Sequence, residues 1–189
     1  MEITEITTIF SRSAICADRL YLSAFPKIER HTLREMHRAA TKGRAEYLAF
    51  SEAGRFVGLA YMIVRGKVAF LLYFAVKDEL RNEGRGGCIL AALKERYEGR
   101  DLMLLIESLH EPCSNRDIRI RRKNFYLRNG MHDTGLIQNT FGGEATYDIL
   151  NSYEDFDLEA FNAMKAEYPF DSYLEDVVPA GIPDSRRAG

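Results

Sequence analysis

The sequence has few cysteines, and they do not suggest a metal site or a disulfide framework. Cys16, Cys88 and Cys113 are widely spaced and odd in number, and they form no CxxC pair. The four histidines also lack the spacing of metal ligands. This pattern predicts that no metal is bound, and it favours a reduced, cytoplasmic setting.

Long hydrophobic runs are also missing. The longest apolar stretch, Val68 to Val76, is far too short to cross a bilayer. Because no basic region followed by an apolar core opens the sequence, we expect neither a membrane association nor a secretion signal. The 189 residues are 46% hydrophobic, enough for one domain with a sizeable core. We expect a single domain over residues 1–178 and a flexible tail over 179–189, which lacks a core-forming pattern.

The net charge of −2 conceals an uneven distribution of charge. The segment from Arg116 to Arg128 carries six basic residues against one acid, Asp117. A local basic patch on a nearly neutral chain fits a small anionic ligand better than a long nucleic acid. A solvated helix face is the simpler alternative. Nucleic-acid binding through this segment is a rival, although no recognised nucleic-acid motif is present.

Periodicity and turn signals predict a mixed α/β domain. A helical region over 18–40 is broken at Phe25-Pro26, because proline disfavours a helical conformation in the residue before it. Further helices are expected over 88–97, 119–129 and 158–168. Strands are expected over 47–51, 55–64, 68–76, 102–106, 131–139 and 144–150. Residues 68–107 thus form strand, loop, helix and strand, a crossover that makes the two strands parallel.

The glycine-rich segment Arg81 to Gly87 lies between a buried strand and a helix. The first turn of a helix has N–H groups without helical partners, and the helix dipole adds positive potential there. Glycine lets the backbone approach a phosphate closely, and Arg81 and Arg85 add donors suited to phosphate oxygens. The alternative is an ordinary turn that holds three glycines. A Walker loop and a dinucleotide fingerprint are excluded by the residues at Cys88 and Ile89.

Two motifs of the sequence, the glycine loop and a later aromatic pair followed by a glycine turn, resemble those of the GNAT superfamily of N-acetyltransferases. Arg81-x-x-Gly84-x-Gly86 matches that family's R/Q-x-x-G-x-G/A loop, and residues 72–76 look like its fourth strand. Residues 125–131 (Phe-Tyr-Leu-Arg-Asn-Gly-Met) resemble its second motif, and the likeness covers about residues 55 to 135. The sequence departs from the family at Arg119 and Arg122, where many members have Asn and Ala. The resemblance implies a central, mostly antiparallel mixed sheet with flanking helices and one splayed parallel strand pair.

The resemblance also implies the activity and the cofactor. Acetyl-CoA would be the donor, and a primary amine of a small molecule, protein or peptide would attack its thioester directly. The backbone of Phe74, Ala75 and Val76 would hold the pantetheine. The diphosphate would be held by the loop, and Phe125 would complete the cofactor site. The predicted loop residues are Arg81, Asn82, Glu83, Gly84, Arg85, Gly86 and Gly87.

Three chemical roles follow from this mechanism. The Val76 N–H would stabilise the oxyanion, and Tyr126, at the family's position for this role, would give a proton to the departing thiolate. A core aromatic residue with its hydroxyl at the surface is the alternative for Tyr126. Glu107, which ends an aliphatic strand, is the candidate base, because apolar walls would raise the pKa of its carboxyl. Marking the point where the strand meets solvent is an equal alternative for Glu107. Tyr73 and Glu111 are lesser candidates, and water could serve instead.

The acceptor, the catalytic competence and the oligomeric state stay open at this stage. A non-catalytic sensor or adaptor that binds CoA is the main rival, and the departures at Arg119 and Arg122 leave room for it. Acids in the acceptor region give a weak hint of a cationic amine: Glu29, Glu35, Asp148, Glu154 and Asp155. A monomer and a homodimer are both compatible with the sequence.

Overall fold

The computed structural model describes residues 1–110, 113–140, 145–170 and 174–180. In chain order the elements are β1 (Glu2–Glu5), α1 (Arg12–Ala24), α2 (Leu33–Thr41), β2 (Glu46–Glu52), β3 (Arg55–Arg65), β4 (Val68–Val76), α3 (Arg85–Arg96), β5 (Asp101–Glu107), α4 (Arg116–Arg128), β6 (His132–Thr140), β7 (Ala145–Asn151), α5 (Leu158–Ala166) and β8 (Leu174–Pro179). Short 3-10 turns cover Lys27–Glu29 and Asp78–Leu80. No helix in the described ranges is long and apolar enough to cross a membrane.

The chain divides into two compact units. The first comprises residues 1–102 and 159–171, and the second comprises 103–158 and 172–189. In the first unit, β1, β2, β3 and β4 follow one another as antiparallel neighbours. Its core contains large, fully buried side chains, among them Phe70 of β4, whose ring meets that of Phe161 of α5 edge to face at 6.1 Å between centroids.

The helical region near the N-terminus is broken where the sequence predicted. Phe25 has an extended backbone (φ −117°, ψ 140°) directly before Pro26, and it ends α1. This helix begins at Arg12, six residues before the prediction, because the Ser11 hydroxyl caps it by accepting from Ala14 N at 3.0 Å. α2 begins with a capping box in which Thr32 and Glu35 satisfy each other's backbone amides.

The predicted crossover is present, and the strands that it joins begin side by side. Asp101 N, at the start of β5, donates to Lys67 O, just before β4, at 2.8 Å. The start of β5, which belongs to the first unit, therefore lies beside the start of β4 in parallel orientation, with α3 as the crossover helix. This pair in an otherwise antiparallel arrangement confirms the predicted mixed α/β fold.

The second unit orders its strands as β5, β7, β6 and β8, all antiparallel. The sequence did not predict β8, whose last residue is Pro179. That residue pairs with Leu136 at the end of β8, and Ala180 N donates to Gly135 O at 2.8 Å. Proline is compatible with this position, because the end of an edge strand needs no N–H donor. Residues 181–189 lie outside the described ranges.

Gly58 of β3 lies unusually close to β4, and its replacement by alanine is expected to destabilise the protein. A Cβ at this position would lie 2.5 Å from Ala75 O and 3.1 Å from the Cδ1 of Ile89. Since the nearer atom belongs to the backbone, the strands must shift, at a cost of about 1–3 kcal/mol in the free energy of unfolding. Denaturant unfolding measures this loss.

A second substitution identifies the atom responsible. Adding Ile89→Val removes Cδ1 but leaves the carbonyl of Ala75 in place. The double variant is therefore expected to remain at least as unstable as Gly58→Ala alone. Recovery of wild-type stability in the double variant would show that the side-chain contact, and not the backbone approach, fixes glycine at this position.

Candidate functional site

The start of α3 has the geometry of an anion-binding helix N-terminus. Gly84 is the N-cap in the left-handed conformation (φ +79°), and no side chain caps the helix. The first helical hydrogen bond runs from Cys88 N to Gly84 O at 3.1 Å. The N–H groups of Arg85, Gly86 and Gly87 therefore have no helical acceptor, and no other acceptor for them is present among the described residues.

The structure moves two of the predicted loop glycines into the helix. α3 begins at Arg85, three residues before the prediction, so Gly86 and Gly87 belong to its first turn. Asn82 precedes them with a positive φ of 63°, and a Cβ at Gly84 would meet no atom within 4 Å. The surface over this turn is therefore open on the Gly84 side, as a phosphate site requires.

The end of β4 presents alternate backbone groups away from β3. Lys77 N donates to Val57 O at 2.9 Å, and Val76 and Ala75 lie opposite Gly58 and Leu59. Antiparallel pairs alternate between bonded and non-bonded, so the backbone of Ala75 is bonded to β3. The N–H groups of Phe74 and Val76 point the other way. The predicted role of the Ala75 backbone in holding pantetheine therefore disagrees with this geometry, whereas Phe74 and Val76 keep the required direction.

β4 also contains a bulge near this point. Tyr73 pairs with Tyr61, but Leu71 pairs with Met62, which leaves Leu72 as an extra residue on β4. A bulge bends its strand and breaks the regular ladder. The strand therefore changes direction two residues before Phe74, within the segment predicted to hold the cofactor.

The two loop arginines have acidic partners in the first unit. Arg81 contacts Asp78 at 2.7 Å and donates from Nε to Val76 O at 3.2 Å. Arg85 is ion-paired with Glu52 at 3.0 Å and also with Glu83. These contacts are largely exposed to solvent, so little free energy is needed to exchange them for a phosphate.

Tyr126 lies in α4 of the second unit and is buried, with 8% of its surface exposed. Burial raises the pKa of Tyr126 to about 12, while nearby Arg122 lowers it by a smaller amount. Its hydroxyl has no hydrogen-bond partner among the described residues. Phe125 lies beside it, with ring centroids 5.1 Å apart, and Arg128 stacks over the Phe125 ring.

The surroundings of Glu107 differ from the apolar walls expected from the sequence. Its Oε1 accepts from Asn115 at 3.2 Å and contacts Arg119 at 3.3 Å, while its Oε2 is ion-paired with Arg122. One face of α4 carries all three partners, because Arg119 and Arg122 follow the N-cap residue Asn115 at spacings of four and three residues. Protonation of the Glu107 carboxylate would remove its charge and weaken its contacts with both arginines.

These arginines are the residues where the sequence departs from the GNAT motif. Their spacing is visible in the sequence, but their common partner is not, because Glu107 belongs to a different element. The cluster also accounts for part of the basic segment: Arg119 and Arg122 bind Glu107, and Lys123 binds Asp148 at 2.8 Å. Much of the predicted basic patch is thus neutralised within the second unit, which weakens the argument for a nucleic-acid surface.

The lesser base candidates and the acceptor acids have varied surroundings. Burial raises the pKa of Tyr73, whose hydroxyl donates to Glu29 O at 2.7 Å and accepts from His31 N at 3.2 Å. Asp148 is buried and bound by Lys123, and the pKa of Glu35 is lowered by the hydrogen bonds from Thr32. Since two of the five acids are engaged internally, the hint of a cationic acceptor is weaker than the sequence suggested. Glu111 lies outside the described residues.

Comparisons with known proteins place this fold among acetyltransferases. No protein-family model and no curated protein sequence matches the chain. A solved structure from Bacteroides thetaiotaomicron, assigned to the GNAT family of acetyltransferases, is 20% identical over 90% of this chain and 100% of its own, with a TM-score of 0.72. An aminoglycoside 6'-N-acetyltransferase in complex with coenzyme A is 14% identical over 83% and 100%, with a TM-score of 0.57. The ribosomal-protein-S18-alanine N-acetyltransferase of Escherichia coli is 16% identical over 83% and 99%, with a TM-score of 0.52.

These similarities concern the fold. The chain has the fold of the GNAT acetyltransferases, as the resemblance in the sequence predicted. At such low identity the roles of individual residues do not follow from the comparisons, because similar folds host different activities.

Proposed function

We propose that the protein is an acetyl-CoA-dependent N-acetyltransferase that acts on a primary amine of a small molecule, protein or peptide. The observation that carries this proposal is the uncapped N-terminus of α3, with Gly84 as its N-cap, at the end of the loop that follows the long buried strand β4. Three helical amides that have no acceptor within the described part of the chain, together with an open surface at Gly84, suit the diphosphate of coenzyme A. One of the structures that share this fold contains coenzyme A.

The pantetheine arm extends the same argument along β4. The N–H group of Val76 points away from β3, so an extended amide chain can pair with it as a strand would. The Val76 N–H is also the proposed oxyanion donor, because backbone amides stabilise the charge that develops on the thioester oxygen. Arg81 and Arg85 would exchange their exposed carboxylate partners for phosphate oxygens.

The reaction itself balances in two proton transfers. The ammonium form of the acceptor loses one proton, and the neutral amine attacks the thioester carbon. The tetrahedral intermediate then expels the CoA thiolate and loses the second amine proton, which leaves an amide. One of these two protons leaves to solvent and the other is taken up by the thiolate, to which Tyr126 is the proposed hydrogen-bond donor.

The Tyr126 hydroxyl makes no structural hydrogen bond with the described residues, and this supports a role as a donor to a ligand. In the first unit, the hydroxyls of five buried tyrosines donate to protein acceptors: Tyr21, Tyr47, Tyr61, Tyr73 and Tyr97. A buried phenol ordinarily finds such a partner. Tyr126 makes none with the described residues, so its hydroxyl is available to a ligand.

The base is assigned less directly. The contacts of Glu107 with Arg119, Arg122 and Asn115 suit a carboxylate that positions α4. A water molecule, or the ionisation of the amine in solution, can remove the first proton without a dedicated side chain. Glu107→Gln tests this point, since loss of the acetylation rate with retained folding would return Glu107 to the role of base.

A coupled assay separates the enzyme from its non-catalytic rival. Acetyl-CoA is incubated with a panel of amines, including an aminoglycoside, a polyamine and peptides with a free α-amine or lysine, and released thiol is measured. We expect thiol release that depends on one class of amine. Binding of acetyl-CoA without release for any amine in the panel would favour the sensor or adaptor.

A further inference from the structure

The first unit contains a cavity of about 630 Å³ whose lining includes none of the residues of the glycine loop. One wall is a stripe of α1 formed by Arg12, Cys16 and Arg19, whose spacing of four and three residues places them on one helix face. The opposite wall comes from the hairpin of β2 and β3 and from the residues that follow β4. The volume is that of an ordinary small-molecule site.

The charges around this cavity are not balanced. Its two acids already have partners: Glu79 is ion-paired with Lys77, and Asp78 contacts Arg81 at 2.7 Å. The guanidinium groups of Arg12, Arg19 and Arg55 also line the cavity, and none has an ion pair or hydrogen bond with another described residue. Three uncompensated cations around one concavity raise the local concentration of anions, although the chain as a whole carries a charge of −2.

The rest of the lining indicates what kind of anion fits. The hydroxyls of Ser13 and Ser51 add neutral donors, while buried Leu20 and half-buried Phe56 offer an apolar surface. Guanidinium groups match the oxygens of phosphate in a forked geometry. Inorganic phosphate would fill only a small part of the volume and would leave the apolar surface uncovered.

We propose that this cavity binds a phosphorylated small molecule with an organic body of about nucleotide size. The proposal does not depend on acetyl transfer, because none of its residues belongs to the loop predicted to hold the coenzyme A diphosphate. It assigns a role to three arginines that the proposed reaction does not use.

Cys16 reports on occupancy without any enzymatic activity. It is half-buried in the cavity wall, and a Cys88→Ser, Cys113→Ser background makes it the only free thiol of the chain. The probes are adenosine 5'-monophosphate and glycerol 3-phosphate, with adenosine as the neutral control. At about ten times its Kd, adenosine monophosphate is expected to slow alkylation of Cys16 about ten-fold, because only the unoccupied protein reacts. Adenosine should have no effect at the same concentration.

Substitutions then locate the bound probe. Arg19→Gln and Arg55→Gln are each expected to weaken adenosine monophosphate binding about ten-fold or more by calorimetry, since each removes a charge-assisted hydrogen bond. Arg34→Gln makes the same charge change on an exposed face of α2 outside the cavity and should leave binding unchanged. Gly84→Asp, which should remove acetyl-CoA binding, should also leave it unchanged.

Three results would overturn the proposal. The first is that neither phosphorylated probe protects Cys16 at low salt. The second is that adenosine monophosphate binds both Arg19→Gln and Arg55→Gln as tightly as the wild type. The third is that Gly84→Asp abolishes adenosine monophosphate binding. The last result would place the probe at the start of α3 and would leave the proposed acetyltransferase site intact. Failure of acetyl-CoA binding in the wild-type protein would count against the proposed function alone.

Discussion

Replacing Gly84 with aspartate is expected to abolish acetyl-CoA binding while the protein stays folded. Gly84 caps α3 at a φ of +79°, and a Cβ there would meet no atom within 4 Å. Aspartate tolerates a positive φ better than most residues, so the chain should still fold. Aspartate also places a negative charge where the diphosphate should lie. A like-charge contact at about 4 Å costs about 4 kcal/mol near a protein surface, which corresponds to a loss of affinity of at least about 100-fold.

Two matched variants separate charge from backbone strain. Gly84→Asn has almost the same shape, tolerates a positive φ and carries no charge, so it should bind acetyl-CoA more tightly than Gly84→Asp. Gly99→Asp makes the same substitution at another open glycine with a φ of +81°, outside the loop. It should lose stability through backbone strain and keep full affinity. Calorimetry with acetyl-CoA and thermal unfolding give the two quantities.

The outcome for Gly84 decides the proposed cofactor site. Normal affinity in both Gly84→Asp and Gly84→Asn would mean that no phosphate approaches this turn, and the amides of α3 would have another role. Equal losses in the two variants would show that the added side chain excludes the ligand sterically, which still places the ligand at Gly84. A loss confined to aspartate identifies the ligand group at this position as an anion.

The parts of the fold that could be predicted from the sequence are those with local signals. β4 has the predicted bounds, because a continuous run of aromatic and β-branched residues between turns has few alternatives. Phe25-Pro26 likewise ends α1 where it was expected to. The sequence predicts the start of α3 at Cys88 and not at Arg85, because the low helix propensity of glycine favours a loop at Gly86 and Gly87.

The parts that were missed depend on distant partners. β1 and β8 are strands of four and six residues that each pair with a single neighbouring strand, and short edge strands carry little periodicity of their own. The contact of Glu107 with Arg119 and Arg122 joins β5 to α4, so the sequence could suggest a carboxylate at a strand end but not its cationic surroundings. The direction of the Ala75 backbone groups could not be predicted from the sequence for the same reason. Its direction follows from the register with β3, which no local pattern contains.

Replacing Tyr126 with phenylalanine is expected to lower turnover about ten-fold or more with little change in acetyl-CoA affinity, as is usual for the loss of a general acid. The raised pKa of Tyr126 determines whether the phenol donates a hydrogen bond or gives up its proton. At a pKa of about 12 the phenol stays protonated at neutral pH and can donate a hydrogen bond to the departing thiolate. Since a thiol has a pKa of about 8.5, complete transfer of the phenol proton is uphill by about 5 kcal/mol. Tyr126 is therefore expected to pass on the proton released by the amine and not to become tyrosinate.

This assignment predicts the dependence of turnover on pH. Below a pH of about 10 Tyr126 keeps its proton, so its own ionisation should not cause turnover to fall between pH 7 and pH 10. Turnover in this range should instead rise with pH as the acceptor amine loses its proton, in the wild-type protein and in Tyr126→Phe alike. A fall in this interval that disappears in Tyr126→Phe would show that the phenol ionises far below the value that its burial predicts.

Tyr97→Phe provides the matched control, because it removes a buried hydroxyl that does have a partner. The Tyr97 hydroxyl donates to Glu46 at 2.9 Å, so its loss should lower the free energy of unfolding by about 1 kcal/mol or more and leave turnover unchanged. Tyr126→Phe removes no hydrogen bond to a described residue, so its stability should remain near that of the wild type. Unchanged turnover in Tyr126→Phe would remove the phenol from the mechanism. A large loss of stability in the same variant would reveal a structural partner and would make any fall in turnover a consequence of misfolding.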